Sequence, residues 1–490
     1  MPPRPRTLRV PAGSSGLATA TATAAAAVAA TQLALELPVE LPRIAIEPEW
    51  KAQQRLWGHS FHPMCSYLAS FPAAIAHAFI ARYSRPGDVV LDPFSGRGTT
   101  PLQASTERRI GVGNDLNPFA HLLTASKVES PTAPAARTRL TALRLGWAAE
   151  AAGWEALAVR LSAAKPDLWT RVPSVGSHLD PTDRARLDQD GEPVPPEVTL
   201  AFHPRTLAQL LFVRANLDLE ERTDRFLGAA ISGILHGKSA SYLSTVMPNT
   251  FSMAPRYVRD YAARTGFESP DRDVFDGLSK KLDRLFRDDA PATPGVALLG
   301  DARDVGLRAR AALRERGLPD RARLVVTSPP YLRVVKYGYY NWLRAWFLGF
   351  DPRAIDAALD DAHHRRPYLR FLREALAGLR PALTDDAVVV LVIGDVFTDR
   401  GRAIEGGVGL AEQVWESAAE PEGYRLAGLA LDDVHAHRKM TKLWGDEAGR
   451  ATPMDRILVL GATELGRRRA LASVNLPIDW TWSRRSLRAV

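Results

Sequence analysis

Short runs rich in Val, Ile and Leu, each closed by turn residues, alternate along this chain with stretches of helical composition. That alternation limits the fold more than any other feature. The strand-like runs fall at Val89–Leu91, Ile110–Gly113, Val296–Leu299, Leu324–Val326, Ala387–Ile393 and Ile457–Leu460. Segments between them, such as Tyr368–Leu379, have helical composition. Strands alternating with helices imply a parallel sheet with helices on both faces. Gly428–Leu431 and Ile457–Leu460 lie close enough in sequence to pair antiparallel. From 130 to 290 the chain turns Ala-, Leu- and Arg-rich and strand signals stop. An interruption of roughly 160 residues is too long for a structureless loop, so it is expected to be a module of its own.

Composition narrows the class. A length of 490 residues fits two or three domains. The single cysteine, Cys65, excludes an internal disulfide framework and a cysteine-based zinc cluster, and fits a reducing, cytoplasmic compartment. No apolar run approaches a membrane span. Lys and Arg number 63 against 55 Asp and Glu, a net charge of +8 that permits a polyanionic partner. Residues 1–35 lack Asp and Glu and carry Arg4, Arg6 and Arg9 before an Ala/Thr stretch. We read 1–45 as a disordered leader, with an organelle transit peptide as the alternative. The expected divisions are then 46–130 and 295–465 for the two parts of the α/β domain, 131–294 for the insertion, and 466–490 for a basic tail. In that tail Arg467, Arg468, Arg469, Arg484, Arg485 and Arg488 read as a solvated surface, or alternatively as a phosphate-contacting arm.

The first strand runs into Asp92-Pro93-Phe94-Ser95-Gly96-Arg97-Gly98-Thr99-Thr100. Gly96 and Gly98 let the backbone bend sharply and a ligand approach it closely. A dinucleotide fingerprint needs a third glycine where Pro101 stands, and a phosphate-cradling loop needs a Gly-Lys-Ser/Thr that is absent. Asp92 ahead of the glycines would repel a pyrophosphate and suit a cationic ligand. The second strand ends at Asn114-Asp115, where an acid typically holds ribose hydroxyls. A ribose-bearing cation describes S-adenosylmethionine.

At these residues the chain resembles the S-adenosylmethionine-dependent methyltransferases, and more narrowly the amino-group DNA methyltransferases. The resemblance covers roughly 55–125 and 295–461. It implies a Rossmann-like sheet, with Asp92, Pro93, Phe94, Gly96, Gly98 and Thr99 along the methionine side of the cofactor and Asp115 on its ribose. Phe61-His62-Pro63 and the segment from Phe71 resemble the stretch that covers the methionine moiety. Asp301, in Leu299-Gly300-Asp301-Ala302, is the candidate for the cofactor's adenine amino group.

Leu324-Val-Val-Thr-Ser-Pro-Pro-Tyr331 is a strand ending in a stiff turn. Pro329 and Pro330 fix the backbone and remove two amide donors, leaving carbonyl acceptors free. The Ser328 hydroxyl and Pro329 carbonyl can accept hydrogen bonds from an exocyclic amine, and Tyr331 can stack on a flipped-out base. The family writes this motif as Asp, Asn or Ser, then Pro-Pro and an aromatic. Serine is commoner among enzymes acting on N4 of cytosine, so Ser328 favours cytosine over N6 of adenine. Carbon-5 methylation needs a cysteine nucleophile that no position supplies.

After the turn, Lys336, Tyr337, Tyr339 and Tyr340 interleave charge and aromatic rings suited to a nucleic acid, while Trp342 and Trp346 read as core. In the insertion, His236–Tyr242 and Met253–Arg259 are candidates for base or backbone contact. His59 and His62 lack further ligands for a metal, and Asp432, Asp433, His435 and His437 read as a polar hairpin rather than a metal site. The expected partner is DNA, with a cognate endonuclease or defence-complex subunits as further candidates. Methylation of RNA bases or of a protein glutamine, and a non-catalytic DNA-binding subunit, remain the alternatives.

Overall fold

A computed structural model describes residues 41–44, 49–53, 57–67, 70–163, 171–247, 254–330, 336–359, 364–394, 409–432 and 455–480. Seven strands form one sheet: β1 Val89–Asp92, β2 Ile110–Asp115, β3 Val296–Leu299, β4 Ala322–Thr327, β5 Leu383–Gly394, β6 Arg425–Asp432 and β7 Asp455–Gly461. Their order is β3-β2-β1-β4-β5-β7-β6. The first five are parallel, and β7 runs antiparallel to both β5 and β6. The expected antiparallel final pair is present.

Alternation along the strands assigns the two faces. Val89, Leu91, Val389 and Leu391 point into one apolar layer, together with Tyr368, Leu372 and Leu376. Val90, Val388, Val390 and Val392 point into the other, against Ile75, Phe79 and Ile80. Helix α1, Ala73–Tyr83, covers this second face. Helices α2, Thr99–Thr106, and α3, Pro118–Val128, follow β1 and β2. Gly111 of β2 lies so close to α2 that an added Cβ would stand 2.1 Å from the Pro101 carbonyl oxygen.

The insertion is mainly helical, as expected. Its principal helices are α4 Ala133–Ala163, α5 Pro204–Ala215, α6 Arg222–Ser232, α7 Pro255–Thr265 and α8 Val274–Leu285. It does not close a core of its own. Trp154, Phe212, Phe226 and Phe275 belong to one apolar cluster with Phe61, Met64, Phe119 and Leu123, which precede the insertion, and with Trp342 and Trp346. Two buried arginines reinforce the join. Arg214 donates to the carbonyls of Trp346 (3.1 Å) and Pro173 (2.6 Å). Arg344 donates to the Ser232 carbonyl (3.1 Å) and to Asn341 Oδ1 (2.8 Å).

Helix α9, Arg365–Leu379, lies on the first face and leads into β5. The expected boundaries shift at both ends. Residues 41–44 are ordered rather than part of a leader, because Ile44 donates to the Leu429 carbonyl (3.1 Å) and Leu429 to that of Pro42 (2.8 Å). Beyond 465 the chain continues as helix α10, Glu464–Ser473. Its Arg469 donates to the carbonyls of Asp386 (2.7 Å), Tyr83 (3.1 Å) and Arg323 (2.7 Å), and Arg467 to that of Leu426 (3.1 Å). These two arginines tie the helix to the sheet. Residues 1–40, Arg484, Arg485 and Arg488 lie outside the described residues. No helix among the described residues is long and apolar enough to cross a membrane.

The Gly111 contact generates a stability prediction. Gly111→Ala must push β2 away from α2, at a cost of about 1–3 kcal/mol or more. Chemical denaturation should show a clear loss of stability; a variant as stable as the parent would contradict the close contact.

Candidate active site

The strand order reverses beside β1, which has β2 on one side and β4 on the other. In open α/β sheets such a switch point leaves a crevice at the strands' carboxyl ends. Asp92, Asp115, Asp301 and Ser328 all lie at those ends.

The glycine turn is held from below by α3. Gly96 and Gly98 have φ of +50° and +76°, the left-handed region that side chains disfavour. A Cβ on Gly98 would also stand 2.8 Å from Thr124 Oγ1. Thr124 donates to the Gly96 carbonyl (3.3 Å) and bonds Ser95 Oγ (3.1 Å). One turn later, Lys127 Nζ donates to the Arg97 carbonyl (2.6 Å). Lys127 is fully buried, and desolvation holds its amine well below the usual lysine range. Both side chains thus spend their polar atoms on the loop that the sequence marks only by its glycines.

Asp92 is buried at the end of β1. Its Oδ1 accepts from Thr327 Oγ1 (2.6 Å) and from the Phe94 amide (3.1 Å). Burial pushes its pKa up to about 7 against the pull of those two bonds. Thr327 directly precedes Ser328, so this bond joins the glycine loop to the Pro-Pro turn. Thr100 adds a second link, donating to the Val326 carbonyl (3.0 Å). Asp115 accepts from the amides of Gly96 (2.8 Å) and Asn117 (2.9 Å), and burial raises its pKa to about 6.

Asp301 is less available than expected. It caps Arg303 N (2.8 Å) and pairs with the Arg303 guanidinium (2.7 Å). That guanidinium also binds Glu374 (2.8 Å) and lies 4.9 Å from the Phe371 ring centroid. Phe371 in turn sits 5.7 Å from Phe94, making an aromatic wall beside Asp301. Phe94, Pro329, Thr327, Leu372 and Leu376 line an apolar slot between the glycine loop and α9.

Ser328 Oγ donates to the Val392 carbonyl on β5 (3.0 Å). Its proton is therefore spent, and its lone pairs remain to accept. Pro329 is buried and Pro330 half-buried, while Tyr331 lies outside the described residues. Lys336 and Tyr339 are exposed, and Tyr340 meets Tyr339 edge-on at 5.6 Å. Tyr337 behaves differently. It stacks on Tyr67 at 5.7 Å with 19° between the planes, and burial and the nearby Asp115 carboxylate raise its phenol. Tyr67 accepts from Asn117 Nδ2 (3.0 Å). Tyr337 is thus placed on the Asp115 side.

Several of these groups carry little sequence signal. Thr327 could have been found as the polar residue one position before Ser-Pro-Pro. Phe371, Thr124, Lys127 and Tyr67 are identified only by contacts across long sequence separations. Trp342 and Trp346 are buried, as expected. His236 is buried, and Arg259, more than half exposed, pairs with Glu197. His62 is bonded to Gln103 (2.9 Å) and burial keeps it well below the usual histidine range. Among the described residues no group of three or more His, Cys, Asp or Glu could hold a metal. Asp433, His435 and His437 fall outside them.

Residues 40–126 match the model of a family described as DNA methylase, of the N6/N4 methyltransferase type. A stretch of 68 residues is 40% identical to the Type II methyltransferase M.SmaI of Serratia marcescens, covering 14% of this chain and 23% of that protein. Over 70 residues it is 34% identical to M.Cfr9I of Citrobacter freundii, with 14% and 23% covered. Over 71 residues it is 32% identical to M.MjaII of Methanocaldococcus jannaschii, with 14% and 13% covered. The chain spans about a quarter or less of the length of these relatives. The family match contains the glycine loop, β2 and most of α3, and ends well before the Pro-Pro turn.

The buried acids generate a pH prediction. An unfolded aspartate titrates near about 3.9, whereas folded Asp92 titrates near 7. Between those values the folded chain holds the extra proton, so stability falls as pH rises from about 4 to 7. Asp92→Asn can still accept from Thr327 and Phe94 and removes the dependence at that site. The thermal midpoint of the variant should exceed the parent's at pH 8, with the gap closing toward pH 4. A constant gap across that range would contradict a raised Asp92.

Proposed function

We propose that this chain is an S-adenosylmethionine-dependent DNA methyltransferase acting on the exocyclic amine of a base, N4 of cytosine ahead of N6 of adenine. The observation that carries the reading is the Thr327–Asp92 hydrogen bond, which holds a glycine loop of cofactor type against the Ser-Pro-Pro turn. The family match and the Type II methyltransferase relatives support the loop's assignment.

The residues present fit the cofactor. The left-handed backbone at Gly96 and Gly98 makes the tight turn such a loop needs, Asp115 offers a carboxylate to a ribose diol, and Phe94 with Phe371 offers an aromatic wall to a purine. Asp92, in its ionised form, suits a sulfonium. When bound, the cofactor supplies an electrophilic methyl group. Everything else is the work of the chain. Ser328 Oγ and the Pro329 carbonyl accept the two N–H groups of the target amine, and no amide on the turn competes for those acceptors. The amine is thereby oriented, and the positive charge that develops on nitrogen meets two oxygen lone pairs. The base must leave its stack to reach them, and Tyr331 is the residue assigned to receive it. The amine's proton passes to solvent. Tyr339, Tyr340 and Lys336 take the neighbouring nucleotides, whereas Tyr337 is reassigned to the wall of the cofactor site.

The reading is tested by mass spectrometry of nucleosides from DNA and RNA of cells expressing the chain or its Ser328→Ala variant. N4-methylcytosine in DNA is the expected product, with purified Ser328→Ala slowed about 10²-fold. N6-methyladenine would move the target atom but keep the mechanism. Methylated bases confined to RNA, or none in either nucleic acid, would overturn the proposal.

A further inference from the structure

The carboxyl ends of β1, β2 and β3 are tied together by one hydrogen-bond network. Its centre is the buried Asn114, the residue before Asp115 on β2. Asn114 Nδ2 donates to the carbonyls of Pro93 (3.0 Å) and Gly300 (3.0 Å), and its Oδ1 accepts from Arg308 Nη2 (2.9 Å). Pro93 follows Asp92 at the end of β1, and Gly300 lies between β3 and Asp301. A single side chain therefore joins the turns that carry Asp92, Asp115 and Asp301.

Arg308 closes the network from the helix Val305–Glu315, which follows Asp301 in the chain. Its Nη1 donates to the Leu299 carbonyl (2.9 Å), and its Nη2 donates to the Asp301 carbonyl as well as to Asn114. A guanidinium suits this task because its donors form a planar fork of fixed geometry, whereas an ammonium carries its donors on one atom. The backbone leaves room for it. Gly300 has φ of +154°, and a Cβ there would stand 2.3 Å from Arg308 Nη1. The guanidinium thus fills space that a side chain at 300 would take. Arg303 meanwhile pairs with the Asp301 carboxylate (2.7 Å), so two different arginines hold the side chain and the carbonyl of Asp301.

The sheet does not need this network in order to pair. The β1–β2 register ends at Asp92 with Gly113, and the β2–β3 register ends at Asp115 with Leu299. Pro93, Gly300 and Asp301 all lie past those last pairs. The bonds to them fix turns rather than strands, and these are the turns at the candidate cofactor site.

We propose that Arg308 is a positioning residue for S-adenosylmethionine: acting through Asn114 and the Asp301 carbonyl, it sets the separation of the Asp115 turn from the Asp301 turn. The inference rests on the methyltransferase reading of that site and adds a residue that works only through others. Its effect is preorganisation. Turns already fixed at their working distance need not be ordered when the cofactor binds.

The test uses the full chain, with Arg308→Met to remove the donors at similar length and Arg308→Lys to keep the charge. Calorimetry measures affinity for S-adenosylmethionine and for S-adenosylhomocysteine, and methyl transfer to DNA is measured separately. Arg308→Met should weaken both ligands by about tenfold or more, and by the same factor, because the two share the nucleoside half that these turns address. KM for the cofactor should rise in step, while kcat at saturating cofactor and KM for DNA stay within about twofold. A merely structural role would lower the thermal midpoint and the active fraction and leave the affinity of the folded remainder unchanged. Arg308→Lys should fall between the Met variant and the parent. Parental affinity in Arg308→Met would overturn the positioning role; if that variant does not fold, parental affinity in Arg308→Lys would overturn it. A parent that binds neither ligand would overturn the underlying reading instead. The binding measurements need no methyl acceptor, so they decide the role of Arg308 whichever nucleic acid is methylated.

Discussion

The hydrogen bond from Thr327 to Asp92, 2.6 Å long and fully buried, is the contact on which the site depends. It spans 235 positions of sequence and joins the last residue of β4 to the last residue of β1. A carboxylate in that position is costly to bury, and its raised pKa expresses the cost. The bond offsets part of it and fixes the register between the glycine loop and the Ser-Pro-Pro turn. Without a polar residue at 327, Asp92 would lose its one side-chain donor from β4, and the direct link between the two halves of the site would rest on strand pairing and the Thr100 bond.

The insertion contributes to that alignment from a distance. Because its core is continuous with α3 and with Trp342 and Trp346, it braces both the helix beneath the glycine loop and the segment that follows the Pro-Pro turn. Arg214 and Arg344 carry the same message in polar terms. Each is buried, and each donates across the boundary between the insertion and the segment after the turn. Burial drives the Arg214 pKa down to about 9, so its placement is tolerable only because carbonyl acceptors and the Glu192 carboxylate surround it. A free-standing module would need no such join.

Much of the fold was legible before any coordinates. The strand-like runs located six of the seven strands of the sheet, and the closeness of Gly428–Leu431 to Ile457–Leu460 identified the seventh and its antiparallel pairing. The glycine loop with Asp92 and Asp115, and the Ser-Pro-Pro turn, were visible because backbone geometry demands those residue types locally. The ends were less legible. Arg467 and Arg469 look like any charge run, yet they satisfy carbonyls at the edge of the sheet, and a sequence does not say which arginines find acceptors. Residues 41–44, Leu-Pro-Arg-Ile, carry no strand-like run of their own, and only their pairing with β6 joins them to the sheet.

What the sequence determined by itself was therefore everything set by local periodicity and stereochemistry: parallel strands with helices between them, a helical interruption, and two tight turns with the chemistry each can host. Only the tertiary structure decided which side chains those turns meet. Thr327 on Asp92, Phe371 against Phe94, Tyr67 stacked on Tyr337, and Lys127 beneath Arg97 are pairings between residues distant in sequence. They arise from packing and desolvation, which act on proximity in space and leave no spacing or motif in the chain to mark them.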